Sequence, residues 1–237
     1  PSAATPGFRR VLRTLVLVPT RELAAQAGEV FRDLGRGVDR PPKVAVVFGG
    51  VSINPQMMGL RGGADVVIAT PGRLLDLMDH NALTLSDVET LVLDEADRLL
   101  DLGFADELAR VLAALPAGRQ NLFFSATFPA EVQALAGQLL REPVRIEITA
   151  PDQPVADIAQ RAIQVDAPRR TELLKHLFQE GQQAGGWERV LVFVATRHAA
   201  EHVAWKLHKS GLYATPLHGD MSQGARTEVL DTFREGG

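Results

Sequence analysis

Leu91-Val92-Leu93-Asp94-Glu95-Ala96-Asp97 decides how this chain folds. Three apolar residues make a strand-sized run, and carboxylates follow at 94, 95 and 97. Such a run, rich in Leu and Val, fits a strand buried on both faces of a parallel sheet. A strand of this kind delivers its next residues to the carboxyl edge, where open α/β sheets bind ligands. Asp94 there suits Mg2+ held through water, because a hard cation takes oxygen ligands. Glu95 suits the orienting and deprotonation of an attacking water. Taken alone, the pair reads more simply as a strand end meeting solvent.

Outward from that segment, short runs rich in Val, Leu, Ile and Phe recur at 13–18, 43–48, 65–69, 89–94, 120–124 and 144–148. Helical patterns lie between them at 21–34, 72–79, 105–115 and 130–140. Strands that alternate with helices predict βα units and a parallel sheet. The pattern breaks at TAPDQP (149–154), which reads as a linker. It restarts with a strand at 158–165, a helix at 169–179, a loop GQQAGG at 181–186, a strand at 190–194 and a helix at 198–208. The expected organisation is a first domain over 1–148, a linker over 149–156 and a second domain over 157–237. Leu15-Val16-Leu17-Val18-Pro19-Thr20-Arg21 is echoed by Leu191-Val192-Phe193-Val194-Ala195-Thr196-Arg197. Two related βα domains in tandem would explain the echo, and so would the general likeness of βα units.

Bulk properties narrow the classes. The 237 residues are 46% hydrophobic and 23% charged, the balance of a globular protein. No apolar run approaches the roughly 18 residues of a membrane span. The sequence has no cysteine, which excludes disulfides and thiolate metal sites and fits a cytoplasmic setting. His198 and His202 stand four apart without a further ligand nearby and read as a solvated helix face. The net charge of −4 argues against coating nucleic acid by bulk charge, so any such site must be local.

Further motifs sit where the predicted strands end. In Pro19-Thr20-Arg21, Thr20 is a good N-cap, and the following amides open a helix suited to phosphate. Thr70-Pro71-Gly72-Arg73 repeats the logic, with Thr70 as cap, Pro71 at the first helical position and Arg73 able to reach a phosphate. Gly49-Gly50 lets backbone approach a ligand closely. The hydroxyls of Ser125 and Thr127 could bond a carboxylate on the neighbouring strand, or cap the helix at Pro129. Each of these also reads as ordinary strand-to-helix punctuation.

Their order is what distinguishes them. PTRELAAQ (19–26), GG (49–50), TPGR (70–73), DEAD (94–97) and SAT (125–127) resemble the motifs of the DEAD-box ATP-dependent RNA helicases, in order and rough spacing. VLVFVATR (190–197) and HGDMSQGARTEVLDTFREG (218–236) resemble the next two. The wording over 104–129 is similar to bacterial members, towards the RhlE-like branch. The resemblance implies two RecA-like parallel-sheet domains, both incomplete, with ATP and Mg2+ as cofactors and RNA as partner. It implies catalytic roles for Asp94, Glu95, Asp97, Ser125 and Thr127. Asp94 and Glu95 would serve Mg2+ and the hydrolytic water. Asp97 would bond Ser125 and Thr127 and link nucleotide state to domain closure. Thr20, Arg21, Gly49, Gly50, Thr70, Pro71, Gly72 and Arg73 would hold the RNA sugar-phosphate backbone. Thr196, Arg197, Gly219, Asp220, Gln223 and Arg226 would continue or brace that track. Backbone gripping is independent of base sequence.

The chain departs from the family in having no G-x-x-x-x-G-K-[ST] phosphate loop. The glutamine-bearing adenine segment and the family's last two motifs are also missing. The expectation is an ATPase parent and a 237-residue chain without turnover, or else a non-catalytic RNA-binding scaffold. The absent strand of the family lies inside the sheet, so an unpaired edge and marginal stability are expected as well.

Overall fold

The computed structural model describes residues 10–148, 158–183 and 185–236. The chain forms two compact units, Pro1–Arg145 and Ile146–Gly237. The linker read over 149–156 lies outside the described residues.

The first unit is built on five parallel strands: β1 (Thr14–Leu17), β2 (Val44–Val47), β3 (Val66–Ala69), β4 (Thr90–Leu93) and β5 (Gln120–Phe123). Their order is β2-β3-β1-β4-β5, in register with Leu15 beside Val67 and Leu91. Alternate residues of a strand face opposite sides. Leu15 and Leu17 therefore join Val67, Leu91 and Leu93 on one face. Val16 and Val18 join Ile68 on the other. Helix α1 (Arg21–Gly35) covers the second face with Leu23, Ala24 and Phe31. Helix α2 (Ile53–Gly59), α3 (Pro71–Asp79), α4 (Ala96–Asp101), α5 (Ala105–Ala113) and α6 (Ala130–Leu139) pack against the first. Burial on both sides is why the strands read as continuous apolar runs.

Strand order also fixes where loops meet. The connection after β1 runs to one side of the sheet and that after β4 to the other. The β1–β4 boundary is thus the topological switch point, and crevices form there at carboxyl ends. The amide of Asp94 donates to the Leu17 carbonyl at 3.0 Å, so the loops after β1 and β4 start side by side. On the far side β5 pairs with β4 alone, and its outer edge has no strand partner among the described residues. Leu122 and Phe124 are correspondingly exposed.

The second unit contributes α7 (Arg170–Gln183), α8 (Arg197–His208) and α9 (Gln223–Glu235) after a short 3-10 turn at Ala167–Arg169. Three expected strands are not formed. Residues 144–148, 158–165 and 190–194 run without ladder partners among the described residues. Ile146, Ile148 and Phe193 are 83%, 90% and 91% exposed. An apolar run supplies a strand with faces, but only a neighbouring strand supplies its hydrogen bonds. The expected loop at 181–186 also changes, because α7 continues to Gln183. Gly181 lies under the Trp187 ring, where any Cβ would overlap it, so this glycine serves close packing rather than a turn. Trp187 in turn meets Phe178 edge to face at 6.3 Å.

Candidate functional site

The loops after β4 and β5 are joined by a polar cluster. Glu95 begins α4 in the left-handed region, at φ 47° and ψ 54°. A non-glycine residue there is strained. The turn is held from both sides. The Glu95 amide donates to Oδ1 of Asp94 at 3.0 Å, and the Ala96 amide donates to the Phe124 carbonyl at 3.0 Å. Glu95 also pairs with Arg98 at 3.5 Å.

Asp97, two residues on, is the centre of the cluster. Its Oδ2 accepts the Thr127 hydroxyl at 2.7 Å and the Thr127 amide at 3.0 Å. Its own amide donates to Oγ of Ser125 at 3.2 Å, and the Ser125 hydroxyl donates on to the Thr127 carbonyl at 2.8 Å. The structure thus brings together Asp97, Ser125 and Thr127, with Ser125 bonded to the Asp97 backbone rather than receiving its carboxylate. The Thr127 hydroxyl, against a smaller cost of burial and with help from the Arg98 and Thr127 amides, holds the Asp97 carboxyl below the ordinary carboxylate value.

A second cluster gathers the loops after β1, β2 and β3. Thr20 caps α1, its Oγ1 accepting from the Leu23 amide at 3.2 Å, as its sequence context suggested. Arg21 lies across Gly50, which has φ 76°, and a Cβ on Gly50 would collide with the guanidinium. Gly50 is therefore required twice over, for its backbone angle and for the passage of Arg21. Thr70 departs from its expected cap. It stands at the N-cap of α3 without a side-chain cap bond, and its Oγ1 instead accepts the Gly49 amide at 3.4 Å. Pro71 follows at the first helical position, where its missing amide costs no helical hydrogen bond.

Arg73 is buried, 8% exposed, and donates through Nη2 to the Val51 carbonyl at 2.7 Å. Its Nε lies 3.5 Å from Asp76. In this structure Arg73 braces the 49–51 turn, where a phosphate-reaching side chain was expected. Gly72 beside it has open space in place of a side chain. Sequence reasoning missed two supports. Gln56 exchanges both polar atoms with Phe48 backbone, at 3.2 and 3.0 Å. Asp65 ties the strand starts together through Arg10 and the Lys43 amide. No local pattern marks either residue, since each acts across the chain.

In the second unit Thr196 caps α8 by accepting the Ala199 amide at 3.1 Å. Arg197 pairs with Asp220, and His218 meets Glu201 at 3.1 Å, one helical turn further along α8. Arg226 donates to the His218 carbonyl at 3.0 Å. Gly219 is exposed between these anchors. The Gln223 Oε1 is buried without a hydrogen-bond partner among the described residues.

Residues 7–135 match the family described as DEAD/DEAH box helicase, over the strands and loops just described. The chain belongs to that family. Beyond the DEAD/DEAH box helicase match, residues 169–237 match the family described as helicase conserved C-terminal domain. The chain is accordingly an α/β protein with two RecA-like domains, the second represented here by its helices. ATP-dependent RNA helicase DBP3 of Lodderomyces elongisporus is 39% identical over 95% of this chain and 43% of its own length. ATP-dependent RNA helicase DeaD of Mycobacterium tuberculosis is 38% identical over 96% of this chain and 39% of its own. The chain thus spans less than half the length of these curated relatives. A crystal structure of a DEAD box protein from the hyperthermophile Methanococcus jannaschii superposes at TM-score 0.56 and 31% identity. That superposition covers 97% of this chain and 60% of the other. Among the described residues no helix is long and apolar enough to cross a membrane.

Proposed function

We propose that the protein to which this chain belongs is an ATP-dependent RNA helicase of the cytoplasm. Its first RecA-like domain would end at 148 and its second begin at 157. The observation that carries the reading is the bridge from Asp97 to Thr127 and Ser125, which ties the loop holding Asp94 and Glu95 to the end of β5. Two ionisable side chains at the carboxyl edge are thereby held in a fixed turn.

In the proposed reaction Glu95 accepts a proton from water while the water oxygen attacks the terminal phosphorus of ATP. The bond from that phosphorus to the bridging oxygen breaks, leaving ADP and phosphate. The oxygen-only donors of Asp94 fit a hydrated Mg2+, which would supply positive charge at the phosphates. Thr20, Arg21, Gly49, Gly50, Thr70, Pro71 and Gly72 form the RNA-backbone track of the first unit, with Arg73 as its brace. Thr196, Arg197, Gly219 and Asp220 form that of the second, with Gln223 and Arg226 as supports.

The test is RNA-stimulated ATP hydrolysis by the full-length protein against its Glu95→Gln variant. Turnover that survives Glu95→Gln, or that ignores RNA, sinks the reading. The lack of a G-x-x-x-x-G-K-[ST] segment in these 237 residues favours a second reading for the chain in isolation, that of an RNA-binding scaffold. Mg2+-dependent turnover by the isolated chain above its Glu95→Gln control would exclude it.

A further inference from the structure

Helix α8 carries a feature that the proposed track leaves unused. His198, His202, Trp205 and Lys209 follow one another at spacings of four, three and four, one stripe along the helix. Ala204 and Leu207 fill the buried face, so the stripe is the outer one. All four side chains are exposed, Trp205 to 53%. The rings lie nearly parallel. His198 and His202 are 6.0 Å apart at 16°, and His202 and Trp205 are 6.2 Å apart at 19°. Lys209 closes the row with its Nζ 4.0 Å from the Trp205 ring centre.

Local charge runs against the charge of the whole. Between Arg197 and Lys209 there are three cationic side chains and one carboxylate, in a chain of net charge −4. Exposed flat rings in a row that ends on a cation are the elements of a single-strand platform, where bases stack and phosphates find positive charge. The ring repeat also falls a little short of two base steps of about 3.4 Å each. The stripe starts at His198, directly after Thr196 and Arg197 of the proposed track.

We propose that this outer stripe of α8 binds single-stranded RNA by stacking on its bases, adding a base-dependent contact to the sugar-phosphate track. The proposal rests on the RNA reading above. It differs in what it touches, since the track needs only ribose and phosphate and the stripe needs bases.

That difference sets the experiment. The 237-residue chain is titrated with a ten-nucleotide oligouridylate and with an abasic ribose-phosphate oligomer of equal length. The sequence has two tryptophans, so subtracting the emission of Trp205→Phe isolates the signal of Trp205. The oligouridylate is expected to bind roughly five- to tenfold tighter than the abasic oligomer and to quench Trp205, the low end of base–aromatic stacking for an exposed ring. Trp205→Ala should bring the ratio close to one, and Trp205→Phe should retain most of it. Equal affinities with unchanged emission overturn the inference and leave the track standing. Failure of both oligomers to bind overturns the track as well. A change of oligomeric state in Trp205→Ala with the oligouridylate preference intact assigns the stripe to protein contact and overturns the inference.

Discussion

Thr127 donates both its amide and its hydroxyl to a single oxygen of Asp97, at 3.0 and 2.7 Å. One residue thus grips another 30 positions away with two donors, and only one of them is under mutational control. Thr127→Val removes the hydroxyl and leaves the amide. A partly exposed hydrogen bond of this kind contributes about 0.5–1 kcal/mol. The urea midpoint of Thr127→Val should fall accordingly, and Thr127→Ser should restore it. An unchanged midpoint in Thr127→Val would mean that the amide alone holds the loop.

The same contact sets a pH dependence. Asp97 is held below the ordinary carboxylate value, chiefly by the Thr127 hydroxyl. At Asp65 burial pushes the carboxyl up, but the Lys43 amide and the Arg10 guanidinium outweigh it and the net direction is down. A carboxyl whose folded value lies below its unfolded value of about 3.9 binds more protons when unfolded. The stability from both groups is therefore fully present above pH of about 5 and drains away as pH falls through their lowered folded values. Denaturation midpoints between pH 6 and pH 3, taken as rough bounds of that window, should decline on the acid side. The decline should be shallower in Asp97→Asn and in Asp65→Asn. A loss confined to neutral pH would place the titration on other groups.

Arg21 and Arg73 occupy similar places in the sequence, each four residues after the end of a strand, but the structure separates them. Arg21 lies over Gly50, and Arg73 is buried on the Val51 carbonyl. Arg21→Ala is expected to leave the midpoint within about 0.5 kcal/mol and to weaken RNA binding by the chain. Arg73→Ala strips a buried carbonyl of a charged donor and should cost about 2–3 kcal/mol. Chemical denaturation and RNA titration of both variants would separate the roles. If Arg73→Ala spares stability and removes binding, the brace assignment is wrong.

That pair also shows what the sequence can and cannot disclose. Strands β1, β3 and β4 were legible because burial on both faces leaves an unbroken apolar run. Thr20 was legible as a cap because capping is local. Helices α2 and α4 were not, being short and entered through Ser52 and Glu95 without a side-chain cap bond. The runs at 144–148, 158–165 and 190–194 carry strand composition, but pairing depends on neighbours that composition does not specify. The Thr70 hydroxyl went to the Gly49 amide and Arg73 to Val51, contacts about twenty residues distant that no local pattern announces. The motifs located the site, and the long-range bonds assigned its members to holding or bracing.

The left-handed backbone at Glu95 gives the last prediction. Strained conformations of this kind gather at functional sites because the surrounding structure over-determines them. Here the Asp94 carboxylate and the Phe124 carbonyl fix the turn through the amides at 95 and 96. Glycine accepts φ 47° without the Cβ penalty of about 1–2 kcal/mol per residue. The Glu95–Arg98 pair is solvent-exposed and contributes little against that. Glu95→Gly should therefore raise stability by about 1 kcal/mol after allowing for the greater freedom of unfolded glycine. For a chain of this size that is roughly 2–4 °C in Tm. Glu95→Gln keeps the strain and should leave Tm nearly unchanged. Both variants should lack RNA-stimulated ATP turnover in the full-length protein. A gain in stability together with a loss of turnover in Glu95→Gly would assign the strained turn to presenting the carboxylate. If Glu95→Gly lowers Tm instead, the turn is not strained and the argument for a functional carboxylate loses its structural support.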